Sequence, residues 1–471
     1  MTERIPATLV ETIDPQKPIR LTPAQAGGPI HTRSFTGLFR NLRLYGAGSL
    51  FVLFFGTVWL NWGERQAVLW DFGQSQFHIF GATFWPQDFI LLSALLIICA
   101  FGLFFITKFA GRVWCGYSCP HSLWTWIFMW AEKVTEGDRN QRIKLDAAPW
   151  SANKLLRRSA KHAIWLAVSL ATALTFVGYF TPIKQLVPDL LHWQAGATTS
   201  FWIFLFSAAT YINGGFVREK VCLHMCPYSR FQSVMFDDST LLVSYDSQRG
   251  EGRGSRKKDS DYRAEGLGDC IDCTLCVQVC PTGIDIRDGL QLDCISCGAC
   301  IDACDSVMDK MGYARGLVRY SSERAMAGTP TRWLRPQLVG YAAMLLVMIG
   351  ALVWALEERS LVSLDVHKDR SLFRENNQGQ VENIYVLKVI NKTMQPHSYH
   401  LSLRSEADLR LQGQQQLHLA PGEMLEVPVS VALLSGHSNR TSQPLSFELV
   451  EQSDPSIQVS AASTFVAPVN R

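Results

Sequence analysis

The chain has 471 residues, 44 Lys+Arg against 41 Asp+Glu, a formal net charge of +3 and 48% hydrophobic residues. That length admits several domains, and a charge so close to balance gives no reason to expect a nucleic-acid partner. Of 13 cysteines, twelve fall between Cys115 and Cys304 and none follows, which excludes a disulfide-stapled secreted scaffold and points to metal ligation in a reducing compartment.

Residues 1–43 read as a polar N-terminal tail. Five apolar stretches then have the length a bilayer core demands: 44–62, 89–109, 162–180, 200–217 and 337–356. The first follows too long a polar tail, and is itself too long, to be a cleavable signal peptide, so it reads as a signal-anchor. Residues 122–131 are apolar but too short to cross, which predicts an interfacial or re-entrant helix.

Positive charge sets the direction of the spans. Arg20, Arg33, Arg40 and Arg43 precede the first span, Arg112 to Lys161 carry nine basic residues after the second, and Arg218, Lys220 and Arg230 follow the fourth. The loops 61–88 and 181–199 carry only Arg65 and Lys184. The N-terminus and residues 218–336 are therefore expected on the cytoplasmic face of a bacterial inner membrane, with the tail after the fifth span periplasmic. The placement of the cysteines agrees.

Two cysteine pairs stand at membrane edges. Cys115 and Cys119 follow the second span, Cys222 and Cys226 the fourth, each as C-x3-C-P. Residues four apart share a helix face, and the proline after the second cysteine biases that cysteine out of helical geometry. If the spans are neighbours, four thiols converge. Thiolates suit Cu(I), zinc or iron–sulfur clusters, and His121, His224 and Met225 are adjacent ligand candidates. The bland alternative is that these cysteines are small buried hydrophobes.

The strongest pattern comes next. Cys270, Cys273, Cys276 and Cys280, then Cys294, Cys297, Cys300 and Cys304, repeat C-x2-C-x2-C-x3-C. Zinc knuckles use paired C-x2-C arms and seldom three evenly spaced cysteines with a fourth. The spacing is that of a dicluster ferredoxin, in which the fourth cysteine of each run ligates the other cluster. Hence Cys270, Cys273, Cys276 and Cys304 are expected around one [4Fe–4S] cluster, and Cys294, Cys297, Cys300 and Cys280 around the second. Pro281 and Gly283 turn the chain after the first run, while Asp305 replaces the proline after the second. The basic run Arg256–Lys258 reads as a solvated loop or an anionic-lipid contact.

There is no C-x-x-C-H for haem attachment, no Walker loop and no dinucleotide fingerprint, and His162 lacks a partner for b-type haem. After the fifth span, strand candidates at 384–390, 399–404, 424–431 and 445–450, with a turn at Pro421-Gly422, suggest an immunoglobulin-like sandwich. Asn391 and Asn439 head chance-level glycosylation sequons. The expected organisation is a tail (1–43), a four-span membrane domain (44–235), an α+β dicluster ferredoxin domain (236–336), a fifth span (337–356) and an all-β domain (357–471).

Residues 114–120, 128–130, 136–138, 226–232, 235–254 and 269–311 resemble the cytochrome oxidase accessory family known as CcoG, FixG or RdxA. His121 departs from the polar amide expected there. The resemblance implies a role in assembling cbb3-type cytochrome oxidase by reducing Cu(II) to Cu(I), with Cys115, Cys119, Cys222 and Cys226 as the copper site. A cytoplasmic electron donor, a copper donor or chaperone, the oxidase assembly machinery and membrane lipid are the implied partners. Two other readings stay open: a quinone-linked electron conduit, and a copper-binding scaffold without turnover.

Overall fold

The structure, a computed structural model, describes residues 30–258, 260–369, 373–375, 380–393, 395–434 and 441–468. Arg20 and Asn439 lie outside them. Among the described residues, five helices are long and apolar enough to cross a membrane: Leu38–Trp59, Pro86–Ala110, Ala152–Gly178, Ala197–Val217 and Pro336–Glu357. Leu95, Leu96, Ile97, Leu346, Val347 and Trp354 stand exposed on them, the inverse of a soluble helix and the arrangement lipid demands. The third helix begins ten residues before its apolar stretch. Hydropathy marks only the part in hydrocarbon, whereas the backbone ladder continues through Lys154, Arg157, Arg158 and Lys161.

The chain divides into two compact units. One holds the described residues up to Leu53, with Ala100–Ala173 and Ala197–Ala343. In it the segment 122–131 lies within a longer helix, Pro120–Glu136, which buries Leu123, Phe128 and Ala131. Phe128 packs on Trp165, whose indole donates to the Phe128 carbonyl at 3.1 Å. The buried Glu132 carboxylate binds Arg142 at 2.6 Å and also Arg218. The ferredoxin segment contributes antiparallel strands Leu242–Tyr245 and Val318–Ser321, with Val243 opposite Tyr320, and helices Leu275–Gln278 and Ala299–Met311. Asp302, on the last of these, accepts the Phe39 and Arg40 amides at 3.2 and 2.8 Å. Its carboxylate thus caps the positive end of the first spanning helix, Leu38–Thr57.

The other unit holds Phe54–Cys99, Leu174–Gly196 and the described residues from Met344 onward. The loop between the first two spans is structured: Val68–Asp71, Gln76–Ile79 and Ala82–Phe84 form a three-stranded antiparallel sheet. Arg359 and Lys392 both bind the buried Asp88 carboxylate, at 2.7 and 3.0 Å. The C-terminal domain is two antiparallel sheets. One orders Leu409–Gln412, Met424–Leu433, Val381–Asn391 and Val362–Lys368; the other Gln416–Leu419, His397–Ser405, Ser442–Glu451 and Gln458–Val466. Alternate residues face inward, so Tyr385, Leu387, Val389, Tyr399, Leu401, Phe447 and Leu449 form one buried core. Asn391 is fully buried and donates to the Gln395 and Ala420 carbonyls at 2.7 and 3.1 Å, so its sequon is unavailable.

Candidate functional site

The two cysteine runs fold as near copies. Asp272 and Thr274 have φ of 54° and 56°, and the matching Ser296 and Gly298 have 50° and 70°. Each run therefore bends through left-handed residues at the same two positions before a helix begins. The first helix is a single turn, Leu275–Gln278, and the chain turns away through Pro281 and Gly283. The second runs through Cys300, Cys304 and Asp305 to Met311. Proline lacks an amide and ends the first run; Asp305 leaves the second helix unbroken and accepts the Gly316 amide at 2.9 Å.

One cavity is lined by Cys270, Cys273, Cys276 and Cys304 together with Leu275, Met308 and other apolar side chains. A second is lined by Cys280, Cys294, Cys297 and Cys300, and Cys276 reaches both. The crossed ligand sets expected from spacing thus line separate apolar cavities, the dry shell a cluster requires. Burial raises the Cys276, Cys294 and Cys304 thiols to about 12, and raises Cys280 and Cys300 as well. Without iron these groups keep their protons; a bound cluster supplies the positive charge that deprotonates them. Arg287 spans Asp272 and Asp285 at 2.6 Å each beside the first cavity.

The membrane-edge pairs share a second geometry. Cys115 lies in a short helix, Val113–Tyr117, and Cys222 in a π-helical turn, Val221–Met225. Cys119 and Cys226 are extended, with ψ of 122° and 110°, and each precedes a proline that starts a new helix. The break expected at each C-x3-C-P is present. Burial raises Cys115 to about 11, and the neighbouring Cys119 and Cys226 add to the shift. Cys222 is raised to about 12 by burial and by Cys119, Cys115 and Cys226. The four thiols therefore sit within electrostatic reach of one another. Among the described residues, however, no three Cys, His, Asp or Glu close on a single ion. His121 and Cys222 line one cavity, and the His121 ring meets the Arg218 carbonyl at 2.8 Å, linking the two loops. His224 and Met225 are exposed.

Other residues brace the loops without carrying a metal-ligand signature. The Ser229 hydroxyl meets the Cys222 and Cys226 carbonyls at 2.6 and 2.9 Å. Gln232, fully buried, accepts from the Cys115 thiol at 3.5 Å. Arg112 donates to the carbonyls of Leu292 and Ser229, tying the second cluster run to the second thiol loop.

The cluster loop and the first thiol loop touch directly. A Cβ on Gly116 would stand 2.9 Å from the Ile295 carbonyl oxygen and 3.0 Å from the Cys297 Cα. The Tyr117 hydroxyl donates to the Cys297 carbonyl at 3.2 Å, and Tyr320 donates to that of Ser296.

Comparison with known proteins bears on both halves. Residues 217–323 match the model of a 4Fe-4S dicluster domain, and residues 352–468 match that of an IG-like fold at the C-terminal of FixG. The chain is 37% identical over 404 residues to the nitrogen fixation protein FixG of Rhizobium meliloti, covering 77% of each chain. It is 38% identical to protein RdxB of Cereibacter sphaeroides, covering 85% of this chain and 86% of the relative. Protein RdxA of the same organism is also 38% identical, over 81% of this chain and 83% of the relative. The chain belongs to the FixG/CcoG family. This FixG-family protein is a membrane protein that binds [4Fe–4S] clusters and transfers electrons.

Proposed function

We propose that the protein reduces Cu(II) to Cu(I) at Cys115, Cys119, Cys222 and Cys226, for the copper centre of cbb3-type cytochrome oxidase. The observation that carries this reading is the contact of Gly116 with the Ile295–Cys297 backbone, which sets the thiol loop against the ligands of the second cluster. Bound clusters supply single electrons, and reduction of one Cu(II) consumes one. The four cysteines supply soft sulfur ligands that favour the reduced ion. Because burial keeps the Cys115 and Cys222 thiols protonated at neutral pH, metal binding there releases protons. The arrangement is open, which suits an ion in transit better than a resident one.

Cys273 is exposed, so a donor has access to the first cluster's ligand set, while the second faces the thiol loops. The positive charges after the second and fourth spans favour a cytoplasmic location for both, with the sandwich periplasmic. Copper would come from a copper-binding donor and pass to the oxidase assembly machinery.

The test uses anaerobic protein with reduced clusters. Cu(II) is added, Cu(I) is trapped with a selective chelator, and cluster absorbance is followed. Cluster oxidation matched one-to-one by Cu(I), and lost when all four cysteines become alanine although the clusters stay intact, is the expected result. Stoichiometric Cu(I) binding without cluster oxidation would replace the reductase by a scaffold. Reoxidation by quinone but not by copper would make it a conduit.

A further inference from the structure

A cavity of about 90 Å³ opens where the first spanning helix begins. Five cations line it: Arg33, Arg40, Arg43, Lys133 and Arg142. Asp138 is its single carboxylate, and that group already accepts the Ser34 amide at 3.0 Å. Arg142 is held by Glu132. Among the described residues the other four cations make no ion pair. Arg43 is 5% exposed; its guanidinium donates to the Ser122 carbonyl at 3.2 Å, and its Nε is buried without a partner. A buried cation without a carboxylate leaves a charge to be met.

The setting identifies what meets it. Arg40 and Arg43 occupy the first turns of the spanning helix Leu38–Thr57, at the depth where apolar chain gives way to headgroups. Trp126 and Trp130, on Pro120–Glu136, line the same cavity, and Trp130 is 52% exposed. Aromatic rings beside basic groups at the end of a span mark the lipid–water boundary, and basic clusters at the end of a span attract anionic headgroups. We propose that this cavity seats the phosphate headgroup of an anionic phospholipid. The alternative basic run behaves differently. Arg256 lies 4.4 Å from the Tyr262 ring and donates to the Gly268 carbonyl at 2.6 Å, so it is a structural residue, while Lys257 and Lys258 are exposed.

Native mass spectrometry of the full, cluster-loaded chain in detergent tests the proposal, with equal phosphatidylglycerol and phosphatidylcholine supplied. The parent retains phosphatidylglycerol selectively. Arg40→Gln with Lys133→Gln lowers that retention on the order of tenfold, whereas Lys257→Gln with Lys258→Gln, removing equal charge, leaves it unchanged. Lys133 is exposed, so Lys133→Gln alone gives a variant that folds, and cluster absorbance checks each protein. Equal retention of the two lipids, or equal losses in both double variants, overturns the site. Displacement of the lipid by millimolar inorganic phosphate overturns the lipid as occupant and assigns the cavity to a soluble phosphate.

Discussion

The C-terminal sandwich and the cluster-binding segment are of similar length, at residues 352–468 and 217–323, yet they are held together by different physics. The sandwich has one continuous core in which Tyr385, Leu387, Tyr399, Leu401, Phe447 and Leu449 are fully buried. Each cross-strand pair supports the next, so no single group is indispensable. The cluster segment instead has small patches: Val243, Cys276, Ile286, Ile301 and Val318 in one, Cys270, Val307, Met308 and Leu317 in another. Thiols are part of those patches, and non-glycine residues at positive φ surround them. A strained, thinly cored segment of this kind depends on its ligand for much of its stability.

The largest expected effect follows from that dependence. Anaerobic removal of iron with a chelator should make residues 236–323 sensitive to limited proteolysis while the sandwich stays resistant. A resistant ferredoxin segment in the iron-free protein would erase the contrast. Next, Phe447→Ala should cost the sandwich about 3–5 kcal/mol in denaturant unfolding without changing cluster content. Glu132→Gln leaves the Arg142 and Arg218 guanidiniums without their buried carboxylate; a loss of about 3 kcal/mol is expected, read by thermal unfolding.

Gly116→Val should leave both clusters loaded. It forces the thiol loop away from Ile295 and Cys297, and reoxidation of the clusters by Cu(II), followed by stopped flow, should slow on the order of tenfold. Unchanged reoxidation would remove the contact from the electron path. The smallest effect belongs to His121→Ala. Loss of its hydrogen bond to Arg218 is worth about 1 kcal/mol, and Cu(I) binding by the four thiols should persist. Loss of Cu(I) binding would promote His121 from brace to ligand.

Much of this organisation could be read from residue order because spacing carries it. The two C-x2-C-x2-C-x3-C runs imply crossed ligation through local geometry alone, and the cavities are lined accordingly. The proline after each second thiol announces the break at Cys119 and Cys226. Strands 384–390 and 445–450 showed through their alternation and extend to Val381–Asn391 and Ser442–Glu451. Gln458–Val466 did not show. It is an edge strand rich in Ser and Ala, and Phe465 is its single fully buried residue. Long-range contacts also left no local trace. Nothing near Gly116 indicates that the Ile295 carbonyl lies against it, and Gln232 is distinguished from any other amide only by burial beside Cys115.

The Asp302 cap has a consequence for the order in which the protein is made. The first spanning helix leaves the ribosome some 260 positions before the carboxylate that completes its N-terminal turn. Asp302 sits between Cys300 and Cys304, on a helix whose thiols line both cysteine cavities. The order of the Ala299–Met311 helix and the completed start of the first membrane helix therefore rest on one carboxylate.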